Sequence, residues 1–258
     1  MIDLFSDIPA QIGIILAGAF LGGLMDAAVG GGGVIQIPTF MTAYPNLHPS
    51  SVLSTNKAAS VIGTAYAGFK IRKKCSIHIR SAVYMCVITA VTSYCGALVA
   101  PKIPPVILEA AVGIALLSML VTVYFKVDFG EASSENNSSL KYQYPVAALI
   151  GIYDGVLGPG LGLLAVLLFV QVVRQGYIKS LLLSKILNVT SNLFALFYFA
   201  PAGYVVWHIA GIMFVANLIG SICGVILILK YGAVLFRKLF LLSSVAMIVK
   251  YVFDLAIQ

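Results

Sequence analysis

The stretch "DAAVGGGG", residues 26–33, sets one aspartate before four glycines. "DGVLGPGLG", residues 154–162, repeats the arrangement with a proline among the glycines. Both lie in strongly apolar surroundings, and each half of the chain adds one lysine, Lys57 in "LSTNKAAS" and Lys185 in "SKILNVTSN". Glycine permits a sharp reversal and close backbone approach. A helix that starts after such a break exposes N–H groups with no intrahelical partner, at the positive end of its dipole. That is a site for an anion. Its candidate donors are the amides of Gly30, Gly31, Gly32 and Gly33 in one half and of Gly158 and Gly160 in the other, with Lys57 and Lys185 as counter-charges. Pro159 suits a helix-opening position, where its missing donor is not needed.

Asn56, Gln36, Ser184 and Asn188 are the candidate polar neighbours of that anion. Lys185, Asn188 and Asn192 follow at i, i+3 and i+7, which puts them on one helix face, and Lys57, Ser60 and Thr64 repeat that face. Asp26 and Asp154 admit two roles. They pair with the lysines and lock each glycine break to the helix after it, or they carry a coupling proton or sodium ion. Four unpaired charges at the centre of a bilayer would cost about 10 kcal/mol together, at ~2.5–3.5 kcal/mol each. They must therefore be paired, solvated or functional.

The elements that hold these residues follow from composition. Of 258 residues, 60% are hydrophobic and 10% charged. A soluble domain is about a quarter charged. Long apolar runs such as "LEAAVGIALLSMLVTVYF" show no period-two alternation, which excludes a transmembrane β-barrel and predicts a polytopic all-α membrane protein. No Lys or Arg precedes Lys57, so the N-terminus lacks the basic region of a secretory signal. The net charge of +7 marks a membrane side, not nucleic acid. Cys75, Cys86, Cys95 and Cys223 have no metal-ligand spacing and read as reduced thiols.

A shift of 128 residues aligns the chain with itself without a gap. Gly23, Asp26, Gly30 and Gly32 fall on Gly151, Asp154, Gly158 and Gly160, Lys57 falls on Lys185, and Ser93, Cys95 and Gly96 fall on Ser221, Cys223 and Gly224. The halves are 1–127 and 144–258, joined by the polar connector 128–143, "DFGEASSENNSSLKYQ". Each half holds one glycine-broken segment, 11–44 or 145–172, and three plain ones: about 50–69, 82–100 and 105–125, then 178–199, 206–229 and 234–256. Basic residues then switch sides. The loop 70–80 carries five and its partner 201–208 none, whereas 174–179 carries two and its partner 44–51 none. Under the positive-inside rule the halves have opposite orientation, an inverted repeat of the kind secondary transporters use. Inversion needs an odd number of crossings per half, so each broken segment is a re-entrant helical hairpin. The connector is then cytoplasmic and both termini lie outside a multi-pass protein of the cell inner membrane.

The stretches "GLMDAAVGGGGVIQIPTF", "LSTNKAAS", "GIYDGVLGPGLG" and "SKILNVTSN" resemble the sulfite exporter TauE/SafE family, also called the toluene sulfonate uptake permease family. The resemblance spans nearly the full length and both halves. It implies a permease for sulfur-containing anions such as sulfite or an organosulfonate. The family's glycine motif maps onto Gly30 to Gly33 with Asp26, and onto Gly158, Pro159 and Gly160 with Asp154.

The expected activity is therefore secondary transport of such an anion by alternating access around a midplane site. The alternatives are a passive anion channel of the same architecture and a proton-coupled importer of another small organic anion. No Ser–His–Asp set, HExxH, P-loop or Rossmann fingerprint occurs, so no enzyme activity, cofactor or metal is expected. The expected partners are the small anion and the lipid bilayer, a homodimer is admitted, and nucleic acid is not among them.

Overall fold

The computed structural model describes residues 8–126 and 137–231. The expected helix at 234–256 lies outside the described residues, as does most of the connector; its last part, Asn137–Tyr142, is a 3-10 helix. Among the described residues there are nine α-helices and no strand. They are α1 (Ile8–Val29), α2 (Gly33–Ala43), α3 (Pro49–Ile71), α4 (Ile79–Val99), α5 (Pro105–Lys126), α6 (Gln143–Val156), α7 (Leu161–Gln171), α8 (Tyr177–Phe199) and α9 (Trp207–Tyr231).

Segments within α1, α4, α8 and α9 are long and apolar enough to cross a membrane: Gln11–Val29, Ile79–Lys102, Tyr177–Phe199 and Trp207–Ile228. With 23 residues, α3 has the length, but Ser54, Thr55, Asn56, Lys57 and Thr64 dilute its apolarity, and all five are buried. Polar and charged side chains are thus buried among apolar ones, while large apolar side chains also face outward. Val83, Val87 and Val91 form an exposed stripe along α4, and Val215, Ile219 and Ile226 one along α9. A soluble protein buries such side chains and almost never fully buries Lys or Asp. The chain is an all-helical, multi-pass membrane protein.

Helix bounds recur at the 128-residue shift. Gly33–Ala43 maps onto Leu161–Gln171, and Pro49–Ile71 maps onto Tyr177–Phe199. Contacts recur too, with the halves exchanged. In one half α1 packs on α9 and α3 on α9; in the other α6 packs on α4 and α8 on α4. Small residues make this close approach workable. A Cβ on Gly23 or Gly220 would strike the backbone of Asn217 or Phe20, and one on Gly151 or Gly155 would strike the backbone of Thr89 or Ser93. These contacts set α1 against α9 and α6 against α4. Each half therefore closes its own interior with a helix of the other.

The chain reverses between α1 and α2. A Cβ on Gly18 would meet Thr39, one on Gly22 would meet Gln36, and one on Gly32 would meet Asp26. Rising numbers on one helix meet falling numbers on the other, so the two run antiparallel. The Gln36 amide clamps them by donating to the Ala19 carbonyl at 3.1 Å. The four cysteines are free, with Cys95 exposed and the others half-buried.

Candidate functional site

Both glycine breaks adopt the same unusual backbone at the same repeat position. Gly30 and Gly158 each have φ of +86°, a region that L-residues with a Cβ disfavour by about 1–2 kcal/mol. Two residues later the halves diverge: Gly160 is left-handed at φ +69°, whereas Gly32 is right-handed at φ −57°. The two breaks touch. The Cα of Gly30 lies against the backbone of Gly162, and Gly33 lies against Pro159 and Gly160. Two helix N-termini, of α2 and α7, therefore meet at one place. Among the described residues, the amides of Gly31, Gly32 and Gly33 donate to no backbone carbonyl, but two of the expected anion donors are already used: the Gly30 amide donates to the Asp26 carbonyl at 2.9 Å and the Gly158 amide to the Tyr153 carbonyl at 3.2 Å.

Gly162 has no room for a side chain, because its Cβ would lie 2.8 Å from the Gly30 Cα and closer still to the Gly30 carbonyl oxygen. Backbone cannot yield there, and overpacking of this kind costs about 1–3 kcal/mol. Gly162→Ala should therefore lower the melting temperature of the purified protein by several degrees. Gly211→Ala, where nothing lies within 4 Å, should leave it unchanged. Equal melting curves for the two variants would show that the breaks are not in contact.

The buried charges pair across the repeat. Lys57 of the first half holds Asp154 of the second at 2.8 Å. Lys185 of the second half holds Asp26 of the first at 3.0 Å. Pairing locked within each half, from break to next helix, was one sequence-based expectation; the geometry instead ties one half to the other.

The two ties differ in completeness. Asp26 accepts from the Thr64 hydroxyl at 2.9 Å as well as from Lys185, and the Lys185 ammonium also donates to the Asp26 backbone carbonyl. Asp154 accepts from Lys57 through Oδ1, while its Oδ2 has no hydrogen-bond partner. The Lys57 ammonium further donates to Asn192 Oδ1 at 3.4 Å, and Asn192 Nδ2 donates to Asn188 Oδ1 at 2.7 Å. Both side-chain contacts to Asp26 fall on its Oδ2, so the two ties differ by the Thr64 hydroxyl, and the buried Asp154 Oδ2 is the acceptor whose missing partner costs most.

Beside the looser tie lies a cavity of about 30 Å³. By volume it holds two or three waters, at roughly 10–15 Å³ each. Of the expected site residues, it is lined by Gly30, Gly32, Gly33 and Gly158, by Lys57, Asn56, Asn188 and Gln36, and by Asp26 and Asp154. Gly31, Gly160, Ser184 and Lys185 do not line it. Ser184 instead donates to the Gly162 carbonyl at 2.8 Å and so fastens α8 to the second break. Gly160 faces Met119 and Val34. Lys185 is 0% exposed, behind Asp26. Its backbone shares a helix face with Asn188 and Asn192, but its long stem carries the ammonium to the Asp26 carboxylate instead.

One cavity residue was missed. Asn217 on α9 lines the cavity, is buried, and has hydrogen-bond partners on neither carboxamide atom. Its repeat equivalent, Thr89, is satisfied by donating to the Ala147 carbonyl at 3.0 Å. The available signal was a lone carboxamide in the apolar run "IMFVANLIGSICG". Among the described residues no group of three or more His, Cys, Asp or Glu could hold a metal ion.

A buried, charge-lined cavity between helices with apolar outer faces is an arrangement that membrane transporters use. The family model for the sulfite exporter TauE/SafE matches residues 14–251. The chain belongs to that family, and it is a membrane transporter, not an enzyme. It is 29% identical over 256 residues to the probable membrane transporter protein YfcA of Escherichia coli K12, covering 98% of this chain and 93% of that one. It is 27% identical over 244 residues to the probable membrane transporter protein ORF9 of a Sinorhizobium species, covering 94% and 93%. A probable membrane transporter protein of Haemophilus influenzae is 26% identical over 245 residues. No solved structure matches the chain.

Proposed function

We propose that this transporter moves a small sulfur-containing anion, such as sulfite or an organosulfonate, by alternating access around the cavity between the glycine breaks. The observation that carries this reading is the meeting of two helix N-termini beside the Lys57 ammonium. Free amides and a lysine are the two anion-binding devices of proteins, and here they converge on one cavity. The hydrogen-bond donors of Asn56, Asn188 and Asn217 add to them.

In this reading the halves are inverted repeats, α1–α2 and α6–α7 are re-entrant hairpins, and the site lies at the bilayer midplane. The exchanged contacts between halves support it, as does the reversal of basic loops in the sequence. The connector is cytoplasmic, both termini are outside, and the protein sits in the inner membrane. Rocking of one half against the other opens the cavity to each side in turn. An inside-negative potential expels an anion at about 2.3 kcal/mol per charge per 100 mV, so export needs no coupled cation.

The test is flux in vesicles made with the purified full-length chain. Sulfite released from loaded vesicles should saturate with concentration and show counterflow against external sulfite. Linear, non-saturating flux would replace the transporter with a channel. Reporters fused after residue 75 and after residue 204 should read opposite sides of the membrane; the same side for both would remove the inversion.

A further inference from the structure

The partners that this cavity leaves unmet say more about its occupant than its charge does. Gln36 Oε1 and Asp154 Oδ2 are both buried and without hydrogen-bond partners. Neither atom is open to reassignment. The Gln36 carboxamide is oriented by its Nε2, which donates to the Ala19 carbonyl, and both oxygens of an ionised carboxylate are acceptors. Asn56 Oδ1 and both atoms of Asn217 are also unpartnered, and all four residues line the cavity. The site therefore presents acceptors as well as donors, which a bare anion cannot satisfy.

The charges lead the same way. Asp26, Lys57 and Asp154 are the ionisable groups lining the cavity, with Lys185 held behind Asp26. Around Asp154, α3 contributes Lys57 and α8 contributes Asn192, while α4 faces α6 with Thr89, Thr92 and Ser93. The sequence of α7 contains no ionisable residue, and the 3-10 helix before α6 carries Lys141, which lies over the Tyr142 ring. Tyr153, next in sequence, donates to the Pro159 carbonyl. Among the described residues each of these lysines is matched by one aspartate, so no surplus positive charge there favours a dianion. A second negative charge would meet the unshielded Asp154 oxygen. A metal cation there would meet the Lys57 ammonium on the same carboxylate.

We propose that the cavity selects a singly charged oxyanion that keeps a hydrogen-bond donor of its own, and that this donor is read by Asp154 and Gln36. Its oxygens take the free amides of Gly32 and Gly33 and the remaining N–H of Lys57, and its O–H or N–H meets the two orphaned acceptors. The transported form of sulfite is then its protonated, singly charged form. The inference rests on the transport reading above.

The test is calorimetric titration of the full-length protein with sulfite, across the pH interval in which sulfite passes from singly to doubly charged. Methanesulfonate, singly charged at every pH used and without a donor, is the control. Sites built to pair a donor reject analogues that lack it strongly. Apparent sulfite affinity should fall at least about tenfold as the doubly charged form takes over, and methanesulfonate should bind at least about tenfold more weakly than protonated sulfite. In Asp154→Asn the carboxamide can offer a donor of its own, so methanesulfonate should gain on sulfite and the pH dependence should flatten; if that variant does not fold, the wild-type comparison still decides. Sulfite affinity that holds or rises with pH, or methanesulfonate binding equal to sulfite, would overturn the donor requirement while leaving the transport reading intact. Absence of binding and flux for every sulfur oxyanion would overturn both.

Discussion

Lys57→Ala should abolish anion binding and reduce sulfite flux in vesicles by roughly a hundredfold or more. Among the described residues Lys57 is the one ammonium lining the cavity, 3% exposed, with its nitrogen 3.1 Å from where a Cβ on Gly158 would stand. Removal of one partner from a buried charge contact costs about 2–5 kcal/mol, and each 1.4 kcal/mol is tenfold in affinity. The substitution also leaves the Asp154 carboxylate without a counter-charge, at about 3–5 kcal/mol. Loss of flux could then reflect loss of fold, and the double variant Lys57→Ala/Asp154→Asn separates the two. It has no uncompensated charge, so its melting temperature should return close to that of the wild type. Its flux should not return. A double variant that transports at the wild-type rate would remove Lys57 from the anion's path.

Much of this arrangement could be read before any coordinates, and the rest could not for definable reasons. Composition shows the helical membrane class because lipid tolerates few charges and demands internally paired backbone. Glycine runs mark chain breaks because nothing else in the sequence supplies φ of +86° so freely, and Gly30 and Gly158 both adopt it. The 128-residue shift shows that whatever Lys57 does, Lys185 has an equivalent. Sequence spacing cannot show that Lys57 reaches Asp154 while Lys185 reaches Asp26. That crossing depends on how α3 and α8 pack together between the halves, and no local rule carries that information. Spacing also fixes only the Cα face. Ser60, Thr64, Asn188 and Asn192 line the cavity as their helix positions imply, but a lysine stem is long enough to send its ammonium elsewhere.

The repeat also hides its own asymmetry. Equivalent residues have equivalent chemistry, yet Gly32 is right-handed where Gly160 is left-handed, and Asp26 accepts from a hydroxyl, Thr64, besides its lysine, where Asp154 keeps Oδ2 unpartnered. Under the alternating access proposed above, matched ties in unlike surroundings are expected of a two-state machine held in one of its states.

That difference predicts opposite behaviour for the second lysine. Lys185→Met should lose most of its folded yield, because Asp26, 6% exposed, would keep a buried charge with only the Thr64 hydroxyl to offset it. A loss of about 3–5 kcal/mol is a large part of a typical stability of about 5–15 kcal/mol. Lys185→Met/Asp26→Asn removes both charges and should recover the yield. With Lys57 intact, this double variant should still bind sulfite within a few-fold of the wild type, unlike the corresponding variant at Lys57. Its flux should nevertheless fall at least about tenfold. Under the proposed alternating access, the opposite-facing state would give Lys185 the place that Lys57 holds here, and that state would lack its ammonium. Undiminished flux would make the Lys185–Asp26 tie a plain structural bolt. Loss of binding in a well-folded double variant would mean that Lys185 already touches the anion in this state, and the division between a working tie and a locking one would have to be abandoned.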